Sequence, residues 1–217
     1  EFEYNDGAKP ALNFDKDIRY KRYDRHADKI VYVDRDTRDT IVSLYNQVTG
    51  RFSDFFNYTD NISAFIRDDY FGVDNLIRFQ KMWRALARQN DWLMVRYEEM
   101  HQDFEKVFSR VCEYFGIEIS GKQIKHIADM ASFDSMKQLE LSGNSERPWL
   151  TPRNSFSKVR KGKVGGFTSE LNPHDIAYIE ERMAFFDLQK NIIHAEWSFF
   201  GVDNLIRFQK MWRALAR

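Results

Sequence analysis

The feature that most constrains this chain is the stretch at residues 29–48, KIVYVDRDTRDTIVSLYNQV, which reads as a strand running directly into a helix. Residues 29–33 are apolar, β-branched and aromatic, the pattern of a strand covered on both faces in a parallel sheet. Asp34-Arg35-Asp36-Thr37 follow, and then Ile41, Leu44, Tyr45 and Val48 recur at helical spacing. Asp36 or Thr37 can cap the first amides of that helix, and Asp39 suits its positive first turn. Arg35 therefore falls where the carboxyl end of a strand meets a helix N-terminus, the place where open α/β sheets hold phosphorylated ligands. Ser43 lies about two helical turns further on and can project from the same side, so a guanidinium fork and a hydroxyl can share one phosphate. The same residues also fit a plainer role, with the Arg satisfying carboxylates at a strand end and the Ser merely lying mid-helix.

The rest of the chain is consistent with one α/β domain. Residues 1–28 are polar and irregular, with a weak strand pattern at 18–23, and residues 50–70 are aromatic without clean periodicity, as in a loop-rich cap over a pocket or in plain core packing. Residues 71–88 make a helix with Val73, Leu76, Phe79, Trp83 and Leu86 down one side and a solvated basic remainder. Residues 92–97 read as a second buried strand, and residues 103–115 as a helix with Phe104, Val107, Phe108, Val111, Cys112 and Phe115 inward and Gly116 as its stop. A shorter helix follows at 123–130, then a long polar segment at 142–168, of the kind that in a compact domain is functional or disordered. Asn172-Pro173 opens a last helix reaching to about Phe186.

Residues 200–217 repeat residues 71–88 letter for letter, which divergence would not have left in an old structural repeat. A recent duplication, a fusion or an artefact of how the chain was recorded is expected, so the domain proper is taken as residues 1–199. A genuine second copy of an amphipathic helix needs a partner for its apolar face, which makes self-association through it a further expectation.

At 217 residues the chain suffices for one domain with a substantial core. The charges balance at 33 of each sign, so nothing points to nucleic acid or an anionic membrane, and any anion site must be a local cluster. No apolar run is long enough to span a bilayer. The one cysteine, Cys112, cannot form a disulfide within the chain, which fits a reducing, cytoplasmic setting and a buried inert thiol. The histidines show no metal-ligand spacing, and no metal is expected.

A second anion-binding candidate is Ser157-Lys158-Val159-Arg160-Lys161-Gly162-Lys163-Val164-Gly165-Gly166, where cations alternate with glycines that permit a backbone nest; a solvated basic loop is the plainer alternative. Together with the strand, the Arg35-Asp36-x-x-Asp39 segment and Ser43, it resembles the two halves of the 3′-phosphate site of sulfotransferases that use PAPS (3′-phosphoadenosine 5′-phosphosulfate). Arg160-Lys161-Gly162 is similar to that family's Arg-Lys-Gly-x-x-Gly motif. Val95-Arg96-Tyr97-Glu98-Glu99-Met100 resembles its Tyr-Glu-Asp-Met stretch, and Ala131-Ser132-Phe133-Asp134-Ser135-Met136 its Thr-Ser-Phe-Glu-x-Met, with Ala131 replacing the Thr. The resemblance implies a P-loop NTPase-like fold with a central parallel sheet flanked by helices, and sulfonate transfer from PAPS to a hydroxyl or amine, leaving adenosine 3′,5′-bisphosphate (PAP). It implies that Arg35, Ser43, Arg160, Lys161 and Gly162 hold the 3′-phosphate and that Tyr97 and Phe133 lie at the base. The acceptor is expected to be a small, aromatic or lipophilic molecule, lined by the aromatics of residues 50–83.

Two family features are unmatched. No Lys-Ser-Gly-Thr-Thr-like loop for the 5′-phosphosulfate occurs in this sequence, so the fold is expected to be incomplete at its N-terminus and the chain as written to be a poor catalyst, or a non-catalytic nucleotide-binding or helix-mediated module. The family's Lys-Thr-His segment, whose His serves as base, has Lys21-Arg22-Tyr23 as its nearest counterpart, leaving Tyr23 and His26 as weak candidates for the catalytic base.

Overall fold

The computed structural model of the protein describes residues 29–142, 152–157 and 162–188. Tyr23, His26, Arg160, Lys161, the strand pattern at 18–23 and the repeat at 200–217 lie outside the described residues.

Two parallel strands form the sheet among those residues, β1 (Val31–Asp34) and β2 (Leu93–Arg96), with Val31 opposite Leu93 and Asp34 opposite Arg96. Parallel neighbours require a crossover. Here it runs through helices α1 (Thr37–Asn46), α2 (Ser53–Phe56), α3 (Ile62–Ile66) and α4 (Val73–Gln89). Asp36 caps α1 by accepting the amide of Arg38 at 2.8 Å, and α1 runs on into a single wide π-helical turn at Gln47–Arg51.

Helix α4 covers one face of the strand pair. Met82, Trp83, Leu86 and Ala87 bury themselves with Trp92 against Ile30, Tyr32 and Met94, and Tyr32 stacks on Trp83 with ring centres 6.3 Å apart. Arg84 forks the carboxylate of Asp34 with bonds of 2.9 and 3.0 Å, fixing the helix to the carboxyl end of β1. The expectation of a strand covered on both faces does not hold for β1. Alternation turns Val33 away from the α4 side, where it is 49% exposed.

The aromatics of residues 50–70 take the second of the two roles open to them, packing as core rather than lining a cap over a pocket. Phe65 and Phe71 stack at 5.3 Å, Tyr58 meets both edge-on, and Phe56 meets Phe71 edge-on. They join Ile41, Val42 and Val48 from the α1 region and Ile77 from α4 in one buried cluster, with Phe167, Leu171, Ile179 and Phe186 from the end of the domain. Each such pair adds about 0.5–1.5 kcal/mol beyond the roughly 1.5–3 kcal/mol of burying a large side chain, which favours packing over facing a wet cavity.

After β2 come α5 (Tyr97–Gln102), α6 (Phe104–Phe115), α7 (Gly121–Met130), α8 (Phe133–Ser142) and α9 (Pro173–Leu188). Their ends follow from side-chain chemistry. Asp103 accepts the Lys106 amide, Gly116 closes α6 in the left-handed region at φ 71°, and Ser120 with Gln123 forms a capping box. Phe115, expected to face inward, is instead 42% exposed at the last turn of α6. Helix α9 closes the domain through the buried Asp175, which accepts from Ser63, Arg67 and Asn172, and through Arg182, which forks Asp74 on α4.

Candidate functional site

The site begins with Arg35, the one residue between β1 and the cap of α1. Its backbone is clamped from two directions. Its carbonyl accepts Nε2 of the buried Gln80 at 2.7 Å, while Oε1 of the same amide accepts the Thr37 hydroxyl at 2.7 Å. The next amide, that of Asp36, donates to Glu98 Oε1 at 2.8 Å. Glu98 follows β2, so the ends of both strands are locked to one another just past the sheet. The Arg35 side chain then lies over Tyr97, with Cζ 4.3 Å from the ring centre, an arrangement worth about 0.5–2 kcal/mol depending on solvation. Its Nε is buried and donates to no side chain or backbone group among the described residues. An Arg held flat by an aromatic, with a buried N–H lacking an acceptor, is arranged for an anion, because such a donor left alone costs about 1–3 kcal/mol.

Helix α1 carries the next two groups one turn apart on the side that Arg35 begins. Asp39 is buried, and its carboxylate accepts two backbone amides of the late glycine-bearing loop, Gly165 N–H at 2.7 Å and Phe167 N–H at 2.9 Å. Arg38 reinforces the junction by lying over the Phe167 ring at 4.3 Å. Ser43 is half-buried, and its hydroxyl makes no side-chain hydrogen bond among the described residues.

The same loop reaches Phe133 at its other end. Gly162 adopts φ +56°, and a Cβ there would stand 2.3 Å from Cδ2 of Phe133, so only glycine permits the contact. Phe133 opens α8, and α8 is held in turn by Glu140, which lies buried 3.9 Å from the buried Arg51 guanidinium after α1. Gly162, Phe133 and Asp39 are therefore brought into one neighbourhood by a short loop, and Arg35 with Tyr97 occupies the N-terminal end of the helix that carries Asp39. Arg160 and Lys161 immediately precede Gly162 in the chain.

Charge at the clamp is fixed at neutral pH. Burial pushes the Asp36 carboxyl up, yet the hydrogen bonds and charge of Arg38 outweigh it and leave Asp36 below the usual carboxylate range. At Glu98 burial again opposes ionisation, and the Asp36 amide with Arg96 more than offsets it, so this group too is held low. Among the described residues no group of three or more His, Cys, Asp or Glu could hold a metal. No helix among them is long and apolar enough to cross a membrane.

Sequence reasoning missed Gln80 altogether, because a glutamine on a basic amphipathic helix carries no local signal of a partner 45 residues away. It read Asp39 as a match to the helix dipole and as part of the Arg-Asp-x-x-Asp segment, and its bond to a loop more than a hundred residues on has no signature in local spacing.

Comparison with known proteins places this geometry in a lineage. The family model described as "Sulfotransferase domain" matches residues 21–192, and the chain belongs to that family. Cytosolic sulfotransferase 14 of Arabidopsis thaliana is 25% identical over 176 residues, covering 72% of this chain and 48% of that protein. Sulfotransferase 2B1 of Mus musculus is 28% identical over 149 residues, covering 66% and 43%. The chain thus spans about half the length of these curated relatives. A mouse sulfotransferase, SULT7A1, solved with PAP, superposes with a TM-score of 0.57 at 24% identity over 85% of this chain and 62% of the other. A retinol dehydratase solved with androsterone and PAP gives 0.57 at 18% identity, over 79% and 49%. The α/β fold with its parallel strands is shared with them.

Proposed function

We propose that this domain binds the adenosine 3′,5′-bisphosphate portion of PAPS and serves sulfonate transfer to a hydroxyl or amine of a small lipophilic acceptor. Arg35, Ser43, Arg160, Lys161 and Gly162 take the 3′-phosphate, and Tyr97 and Phe133 lie by the base. The observation that carries this reading is the Arg35 guanidinium, stacked on Tyr97 with its buried Nε lacking an acceptor, directly before a helix N-terminus. The family and its PAP-bound structural neighbours supply the nucleotide. The androsterone in a neighbouring complex supplies the acceptor class. Transfer of a sulfonate depends on positioning and on neutralising charge at the leaving phosphate, and no Gly-rich Lys-Ser/Thr loop for that phosphate occurs in these 217 residues. A second reading is a non-catalytic nucleotide-binding module derived from the same fold.

Calorimetry with adenosine 3′,5′-bisphosphate tests the proposal. Arg35→Ala is expected to weaken binding by roughly tenfold to a hundredfold, the range for losing a hydrogen-bonded charge contact, and Arg35→Lys to recover part of it. Unchanged affinity in Arg35→Ala would remove the site. Measurable sulfonate transfer from PAPS decides between enzyme and module.

A further inference from the structure

Among the described residues no regular strand or long helix holds the loop that begins at Gly162, yet it must stand at a fixed distance from α1 if cations on it are to meet Arg35 at one phosphate. The device that sets this distance is visible in the chain. Asp39 is 3% exposed, and both of its carboxylate oxygens are used, Oδ2 by the Gly165 amide at 2.7 Å and Oδ1 by the Phe167 amide at 2.9 Å. The loop is shaped to present those amides together. Gly165 sits at φ +73°, and the short 3₁₀ turn Gly166–Ser169 follows at once. The Phe167 ring enters the buried core and lies beneath Arg38, the residue next to Asp39. Two charge-assisted bonds to amides two residues apart make a rigid pin, because neither can be kept if the loop slides.

We propose that Asp39 is the positioning residue of the 3′-phosphate site: its carboxylate does not touch the nucleotide, which it would repel, but fixes the loop that follows Arg160-Lys161-Gly162 against the helix that begins at Arg35 and carries Ser43. This rests on the reading that the 3′-phosphate binds between those segments. An asparagine at position 39 keeps the size and one acceptor, but loses the charge and turns an amide N–H toward one of the two loop amides. The loop then loses its register without loss of any phosphate ligand.

The test compares two probes, adenosine 3′,5′-bisphosphate and adenosine 5′-monophosphate, by calorimetry on the full chain. The unaltered protein is expected to prefer the bisphosphate. Asp39→Asn is expected to reduce affinity for the bisphosphate by roughly tenfold or more while changing that for the monophosphate by less than about threefold, so the preference collapses. Equal weakening of both nucleotides would mark Asp39 as a general structural residue and overturn the positioning role, as would an unchanged preference. Absence of any preference in the unaltered protein would instead overturn the 3′-phosphate reading itself. Should Asp39→Asn fail to fold, amide hydrogen exchange on the unaltered protein decides. The Gly165 and Phe167 amides are expected to be protected, and to gain protection with the bisphosphate but not with the monophosphate. The same gain with either nucleotide, or with neither, would overturn the role.

Discussion

At the scale of single residues, what distinguishes this site is how few degrees of freedom are left to Arg35. Its carbonyl, the following amide and its guanidinium plane each have an assigned partner in Gln80, Glu98 and Tyr97. Prepositioning of this kind lowers the ordering cost when an anion arrives. Gly162 is constrained as tightly from the other side. With φ +56° and the Phe133 ring 2.3 Å from where a Cβ would be, Gly162→Ala must displace the ring or the loop. We expect Gly162→Ala to weaken nucleotide binding measured by calorimetry, and Phe133→Leu in the same chain to relieve the clash without restoring affinity. Full binding by the single variant would show that the ring takes no part.

At the scale of elements, several helices were legible from sequence where their ends carry local chemistry, whereas α8 was given no reading and the Ser120–Gln123 capping box went unread. Asp103 with Gly116 and Asn172 with Pro173 mark helix ends, and the structure places caps at those residues; the first turn of α1 likewise stands on Asp36. The candidate site was legible in part for the same reason, since Arg35 stands at a strand end whose position the apolar run of β1 announces. What could not be read was long-range. Val33 has the composition of a covered strand but lies on the face away from α4, and Phe65 and Phe71 share composition with a pocket wall while packing on one another. The Arg51–Glu140 pair is a third such case, because it joins the turn after α1 to α8, which carries Phe133. Glu140→Leu removes the carboxylate beside the buried Arg51 guanidinium and is expected to lower the urea unfolding midpoint. Adding Arg51→Met should return most of that loss. A single variant as stable as the parent would mean the pair is dispensable.

At the scale of the whole molecule, the two halves of the chain meet through carboxylates. Asp34 binds Arg84, Glu98 binds the Asp36 amide, Asp39 binds the late loop, and Asp175 joins α9 to α3. Glu98 and Asp36, whose amide Glu98 accepts, both have carboxyls held below their ordinary range. A depressed folded value means that the unfolded chain binds protons first as pH falls. Their contribution is thus complete above about pH 5 and declines as pH drops below about 4. Urea midpoints measured from pH 7 down to 3 are expected to be level at first and then to fall. Replacing Glu98 with Gln should flatten that decline, and an identical slope in the variant would exclude Glu98 as a contributor.

The amide of Gln80 sits one turn along α4 from Trp83, whose indole stacks on Tyr32 and leans on Trp92 in the second buried cluster. The Arg35 carbonyl and the Trp83 indole are thereby tied to neighbouring positions of one helix, so the end of β1 and the second buried cluster are held by a single rod of backbone.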